Sequence, residues 1–243
     1  RCGKYCTAAR NRIVWLAVLI AAPATLLVAW RFGNRKYYLS SLLLIVYAML
    51  PFFVRFEHKK PQARELVTIA VMSAVAVASR AAFIMVPFFK PLTGIVMITG
   101  MALGPEAGFL TGAVSGFVSN FIFGQGPWTP WQMFAFGVAG FLAGVLAKKG
   151  WLTAEKRLPA GLFGGICVLL LIGPILDTCS LFTMSTEITA ASAAGIYLAG
   201  LPVNAVHAFA TFLTVFFLGK PIEEKLDRIK VKYGMMGGDE DEI

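Results

Sequence analysis

Eight long apolar blocks, separated by short polar connections, are the feature that leaves this chain the fewest folds. They cover residues 13–30, 37–54, 65–86, 92–104, 106–123, 130–147, 160–180 and 191–218, and no heptad or alternating pattern organises them. A helix needs about 20 apolar residues to cross the hydrocarbon core of a bilayer. Composition agrees: 58% of the 243 residues are apolar and 14% charged, where a soluble domain carries about 25% charge. The sequence therefore predicts an all-α polytopic membrane protein of about eight helices. The blocks 92–104 and 106–123 are short and nearly continuous, so Gly104-Pro105 is expected to form a tight turn between them.

A net charge of +9 could point to a polyanionic partner, but its distribution gives a different reason. With the first residue on the cytoplasmic side, seventeen of the 22 basic residues fall in cytoplasmic segments and five on the opposite side. That is the positive-inside bias, which sets topology and needs no nucleic acid. Both termini are then expected in the cytoplasm of a plasma-membrane protein. Arg31, Arg35 and Lys36 run against the bias, so the orientation of the first hairpin is its weakest part. The first block is long for a signal-peptide core and ends in Trp30-Arg31 without a small-residue cleavage pattern, so it is expected to be retained.

The charged segment RFEHKKPQARE, 55–65, divides the chain. Residues 1–60 read as an N-terminal transmembrane hairpin, 61–220 as a six-helix block, and 221–243 as a charged cytoplasmic tail. The tail begins as a solvated amphipathic extension and ends in GDEDEI, expected to be disordered. Within the block, glycines recur every four residues at 100, 104, 108, 112 and 116, followed by Gly137, Gly140 and Gly144. Such spacing keeps glycines on one helix face, where neighbouring backbones approach closely. Ala70, Ala74 and Ala78 form a similar small stripe, readable as internal packing or as a docking face for another membrane subunit.

Polar side chains inside a bilayer are costly and therefore candidates for function. On the charge-derived topology they gather in the external half: Arg80, Lys90, Asn120, Gln125, Trp128, Thr129, Trp131, Gln132, Asp177, Thr178, Thr183 and Glu187, with Asn204 and His207 deeper on the last span. That pattern suits a pocket open to the outside, with aromatic faces and a few hydrogen-bonding groups. The segment NFIFGQGPWTPWQM, 120–133, is the richest and is expected to be a rigid loop presenting Trp128 and Trp131 as stacking surfaces. An interfacial aromatic belt is the alternative for the two tryptophans. Asp177 reads either as an ion-pair partner of Arg80 or Lys90 or as a ligand contact, and His207 as a satisfied interior histidine or a ligand. Glu106 stands near the other side, placed to cap the helix after Pro105.

Several chemistries lack their residues. No G-x-x-x-x-G-K-[ST] phosphate loop is present, so this chain is not expected to hydrolyse ATP itself in the usual way. Cys2, Cys6, Cys167, Cys179, His58 and His207 are too scattered for a metal cluster, and no cofactor is implied. The enzymatic alternative is an intramembrane serine protease of the rhomboid kind, with Ser115 in GAVSG as nucleophile and His207 as base. Ala113 stands where that motif has its first glycine. A non-transporting membrane scaffold is a third class.

ARELVTIAVMSAVAVASR, followed by FKPLTGIVMITGMALGPEAGFLTGAVSGFVSNFIFGQGPWTPWQMFAFGVAGFLAG, resembles the substrate-binding S-component of an energy-coupling factor (ECF) vitamin transporter over residues 62–220. GPEAGFLTG and SNFIFGQGPWTPWQM are the specific parts. The resemblance implies a six-helix fold with cytoplasmic termini that binds a vitamin from outside. It also implies partners: a transmembrane coupling protein and two ATPase subunits. In the family a small A-x-x-x-A stripe docks on the coupling protein, and Ala70, Ala74 and Ala78 occupy the matching place. The family pocket corresponds by position to Asn120, Trp128, Gln132, Asp177 and Asn204. The motif FGQGPWTPWQM is closest to cobalamin-associated members, with flavin, thiamine-related and queuosine-type ligands as alternatives. The hairpin 13–54 departs from the six-helix pattern, and an added docking surface is its expected role.

Overall fold

The computed structural model describes residues 37–58, 62–185 and 187–234, which form seven helices and no strand. In chain order these are α1 (Tyr37–His58), α2 (Ala63–Ala82), α3 (Leu92–Leu103), α4 (Pro105–Phe123), α5 (Trp128–Lys148), α6 (Arg157–Met184) and α7 (Ala190–Tyr233). The first expected span, the Cys2-x3-Cys6 pair and the terminal GDEDEI lie outside the described residues. Four helices are long and apolar enough to cross a membrane: α2, α5, α6 and α7. The protein is a multi-pass membrane protein with an all-α fold.

α3 is the centre of the bundle: every residue from Leu92 to Leu103 is buried. Its 12 residues rise only about 18 Å, short of the hydrocarbon thickness. α2, α4, α5 and α7 pack around it. The expected turn at Gly104-Pro105 is present: Gly104 takes φ 93°, which a side chain disfavours, and Pro105 starts α4 with no N–H to lose. Glu106 stands in the first turn of α4, favourably placed against the helix dipole.

The four-residue glycine step is not a stripe on one helix, because that turn splits it. Gly100 on α3 and Gly108 on α4 both abut the backbone of Gly140 on α5. A Cβ on Gly108 would stand 2.5 Å from the Gly140 carbonyl oxygen, and one on Gly144 2.6 Å from Pro105 Cα. Three backbones thus meet where side chains would hold them apart, the way helices associate in lipid.

α6 contains a wider π-helical turn at Val168–Ile172, closed by the Gly173 N–H on the Val168 carbonyl. Pro174 follows at once and has no N–H to give Leu170, so the ladder resets there. α7 starts with a reciprocal cap: Thr189 Oγ1 accepts from the Ser192 N–H at 3.1 Å, and Ser192 Oγ from the Thr189 N–H at 2.9 Å. The helix then runs unbroken to Tyr233, through the position where the sequence placed a separate tail. That extension is not merely solvated. Leu226 is buried, Lys230 donates to the Ala102 carbonyl at 2.7 Å, and Arg64 donates to the Tyr233 carbonyl at 3.2 Å.

α1 packs on α4, α5 and α6. Phe52 stacks on Phe109 with centroids 4.0 Å apart and meets Phe141 edge-on. The second half of the expected hairpin is therefore part of the bundle.

Gly108→Ala is expected to lower the thermal midpoint in detergent, at a cost of about 1–3 kcal/mol, because the opposing atom is backbone. Gly195→Ala, whose Cβ meets nothing within 4 Å, should be neutral or slightly stabilising. Equal midpoints for the two variants would contradict the role of the glycine contact.

Candidate substrate-binding site

The helix order places the connections 83–91, 124–127 and 185–189 at one end of the bundle, and the candidate residues gather there. Arg80, in the last turn of α2, turns inward and is only 7% exposed. Its Nη1 donates to Ser119 Oγ at 2.6 Å and to Asn120 Oδ1 at 3.2 Å, and its guanidinium lies 4.2 Å from the Phe123 ring centroid. A cation there is electrostatically favoured over the ring face.

Asn120 extends this contact into a network across two helices. Its Nδ2 donates to Thr129 Oγ1 and to Gln132 Oε1, both at 3.0 Å. Thr129 in turn donates to Gln125 Oε1 at 2.8 Å. The network forms because α4 continues to Phe123 and α5 begins at Trp128, so the expected loop 120–133 shrinks to Gly124–Pro127. Gly124 at φ 99° makes so short a reversal possible. Asn120, Thr129 and Gln132 are thus held on facing helix ends.

Two further polar pairs lie on α7. His207 Nε2 lies 2.9 Å from Thr93 Oγ1 at the start of α3, and Phe136 meets the imidazole edge-on. Ser115 is not its partner: Ser115 Oγ donates to the Thr111 carbonyl at 2.6 Å, back-bonded within its own helix. Ser115 and His207 therefore do not make the nucleophile–base hydrogen bond of a serine protease. Asn204 Nδ2 donates to Asp177 Oδ2 at 2.8 Å, which joins α7 to α6. Asp177 does not pair with Arg80 or Lys90, against one reading of the sequence. Glycines make room for this pair: a Cβ on Gly173 would stand 2.6 Å from Asn204 Nδ2, and one on Gly200 2.5 Å from Asp177 Oδ1. Thr178, one residue on, shares a hydrogen bond with Tyr197 at 2.7 Å.

Lys90 closes the end of the bundle. It is half-buried in the connection before α3 and lines a cavity with Arg80. Burial, and secondarily the Arg80 charge, pushes its ammonium down to about 8.

The remaining candidates separate. Gln125 is exposed and reaches the network through Thr129, and its Nε2 donates to the Phe117 carbonyl at 3.0 Å. Trp128 is 42% exposed on the rim, its indole N–H donating to the Gly124 carbonyl at 3.3 Å. Trp131 offers no open stacking face. It is buried in an apolar cluster with Ile45, Met49, Phe109 and Cys179, with Phe182 beside it. Ser119 and Thr93 were not singled out in the sequence. Their signal is available: each is a small hydroxyl residue in an apolar run, within reach of a cation or imidazole only once helices are paired. Ala70, Ala74 and Ala78 are exposed along α2, beside an apolar groove of about 390 Å³ between α2 and α7 lined by Val67, Val71, Ile222 and Leu226.

The sequence model of the family described as ECF-type riboflavin transporter, S component, matches residues 60–224, more than half of the chain. No solved structure matches it.

Asn120→Leu removes the shared amide and leaves Arg80 Nη1 with Ser119 alone. It should destabilise the protein by about 3 kcal/mol in denaturant titrations. Gln125→Ala, on the exposed edge, should cost less than about 1 kcal/mol. Lys90 adds a pH signature. Its pKa is about 8 in the folded protein against the ordinary 10.5, so the unfolded chain binds more protons between those values. Stability therefore rises with pH across that window. Lys90→Met should flatten that rise, measured by thermal unfolding against pH.

Proposed function

The chain belongs to the ECF-type riboflavin transporter S component family, and we propose that it captures a flavin-type vitamin from outside the cell and delivers it with a separate coupling protein and ATPases. The family membership supports a vitamin-transport subunit, and the riboflavin in its description favours a flavin over the cobalamin suggested by the FGQGPWTPWQM motif. One structural observation carries the capture reading. Hydrogen-bonding groups of α2, α4, α5, α6 and α7 converge towards one end of a largely apolar bundle, and Arg80 is buried there on amide and hydroxyl oxygens rather than on a carboxylate. A bundle that only had to pack would not need those groups. The charge distribution supports assigning that end to the outside and both termini to the cytoplasm.

Within this reading Asn120, Gln132, Asp177 and Asn204 orient the ligand from the bundle interior, with Arg80, Lys90 and His207 beneath or beside it. Trp128 and Gln125 form the rim, and Trp131 holds α5 against α1. The alanine face of α2 serves the coupling protein. It is exposed, and its neighbours Val67, Val71 and Val75 are exposed as well. ATP hydrolysis is left to the partners, in keeping with the missing phosphate loop.

Two measurements test this. Riboflavin should bind the purified chain in fluorescence and calorimetric titrations, and Asn204→Ala should weaken it roughly tenfold, through the lost amide and a freed Asp177. Cobalamin binding in place of riboflavin would overturn the flavin reading, and no binding across a vitamin panel would overturn capture itself. Ala70→Leu with Ala74→Leu should abolish co-purification of the coupling protein and ATPases while leaving ligand affinity within about twofold. Retention of the partners would remove the docking assignment.

A further inference from the structure

Between the end of α2, the connection 83–91 and the end of α4 lies a cavity of about 160 Å³. It is lined by two cations, Arg80 and Lys90, and by Phe83, Phe88, Phe89 and Phe123. Among the described residues neither cation has a carboxylate partner. Arg80 makes both of its hydrogen bonds through Nη1, and its Nε is buried without any partner. A buried guanidinium N–H left unmet is costly, and a second positive group beside it raises that cost. α3 begins two residues after Lys90, so the N-terminal end of its peptide dipoles adds to the positive field. Phe88 in this connection holds a left-handed backbone, φ 63°, which a bulky residue seldom adopts. Packing alone would not assemble two cations without a carboxylate partner and a strained phenylalanine around a void.

We propose that this cavity is an anion subsite, in which a carboxylate or phosphate group is held between the Arg80 guanidinium and the Lys90 ammonium while the apolar body attached to it rests on the phenylalanine rings. The volume fits this division. Whole-ligand clefts run to about 300–1,000 Å³, so the cavity takes one charged end of a molecule and not the whole of it. The assignment rests on the capture function and adds to it the charge of the captured molecule. A lipid phosphate from the surrounding leaflet offers the same chemistry, and the test separates the two sources.

The full chain is purified in neutral detergent, stripped of lipid, and unfolded thermally in rising inorganic phosphate or acetate at constant ionic strength, with chloride as reference. Phosphate or acetate should raise the midpoint saturably where chloride does not. Lys90→Gln should weaken the apparent affinity roughly tenfold, and Arg80→Gln should abolish the effect. Because Arg80→Gln can fail to fold, Lys90→Gln carries the decision, its midpoint in chloride reporting that it has folded. No saturable effect from either anion, or an undiminished one in folded Lys90→Gln, overturns the subsite. Phosphatidylglycerol that competes with phosphate in the wild type assigns the anion to a lipid headgroup, and lack of competition assigns it to a soluble molecule; either outcome follows only from a working subsite. Riboflavin titrated into the same preparation separates the two claims. Riboflavin bound without an anion effect removes the subsite alone, and an anion effect without riboflavin binding removes the flavin reading alone.

Discussion

The structure depends on one close approach: the backbones of α3 and α4 against that of α5 at Gly100, Gly108 and Gly140. In lipid, apolar side chains gain little by leaving one greasy surface for another, so helices are held by dispersion and by how nearly their backbones can meet. Three glycines at one point let three helices share it. Everything that bears on the site follows from this contact. It seats α3 against α4 and α5, with α2 and α7 completing its burial, and the end of α4 faces the beginning of α5. Asn120 can then reach Thr129 and Gln132, and Arg80 has an oxygen-rich wall to turn towards.

The shortness of α3 is the second half of the same constraint. A central helix of about 18 Å cannot fill the depth of the bundle, so something else must close the end above its first turn. The connection 83–91 does so, bringing Lys90 and its phenylalanines over the helix start. Thr93 on the first turn of α3 meets His207 there, and the other polar groups stand on the ends of the surrounding helices. A bilayer protein concentrates its polar cost where a helix stops early, because water or a ligand can reach that depth only there. The polar end and the short helix are one feature seen from two directions.

Much of this was legible in the sequence, because bilayer length and apolarity fix where helices lie. All seven of the expected spans from 37 onwards match a helix within a few residues at their starts, and Gly104-Pro105 reads correctly as a turn because a positive φ followed by a ring nitrogen has few other uses. Pairings were not legible. Asp177 with Asn204, and His207 with Thr93, depend on how far each helix is rotated and raised against its neighbour, which no local pattern encodes. Trp131 shows the cost of that gap. Beside two prolines and Trp128 it read as a rim residue, yet Pro130 falls within the first turn of α5, where proline is tolerated, and the helix carries Trp131 inward against α1. The alternating charges after 220 do leave most of that stretch exposed, but its apolar face was less legible: Leu226 and Lys230 hold it against the ends of α2 and α3.

α1 decides which lateral faces of the bundle remain open. Phe52 stacks on Phe109, and a Cβ on Gly137 of α5 would stand 2.8 Å from the same Phe109 ring, so α1 leans on the α4–α5 seam that the glycines create. An extra helix fixed there covers the side of the bundle formed by α4, α5 and α6. Among the described residues α2 stays exposed along Ala70, Ala74 and Ala78, with the apolar groove against α7 beside it. Packing of α1 across the glycine seam joins it to the part of the molecule least able to deform.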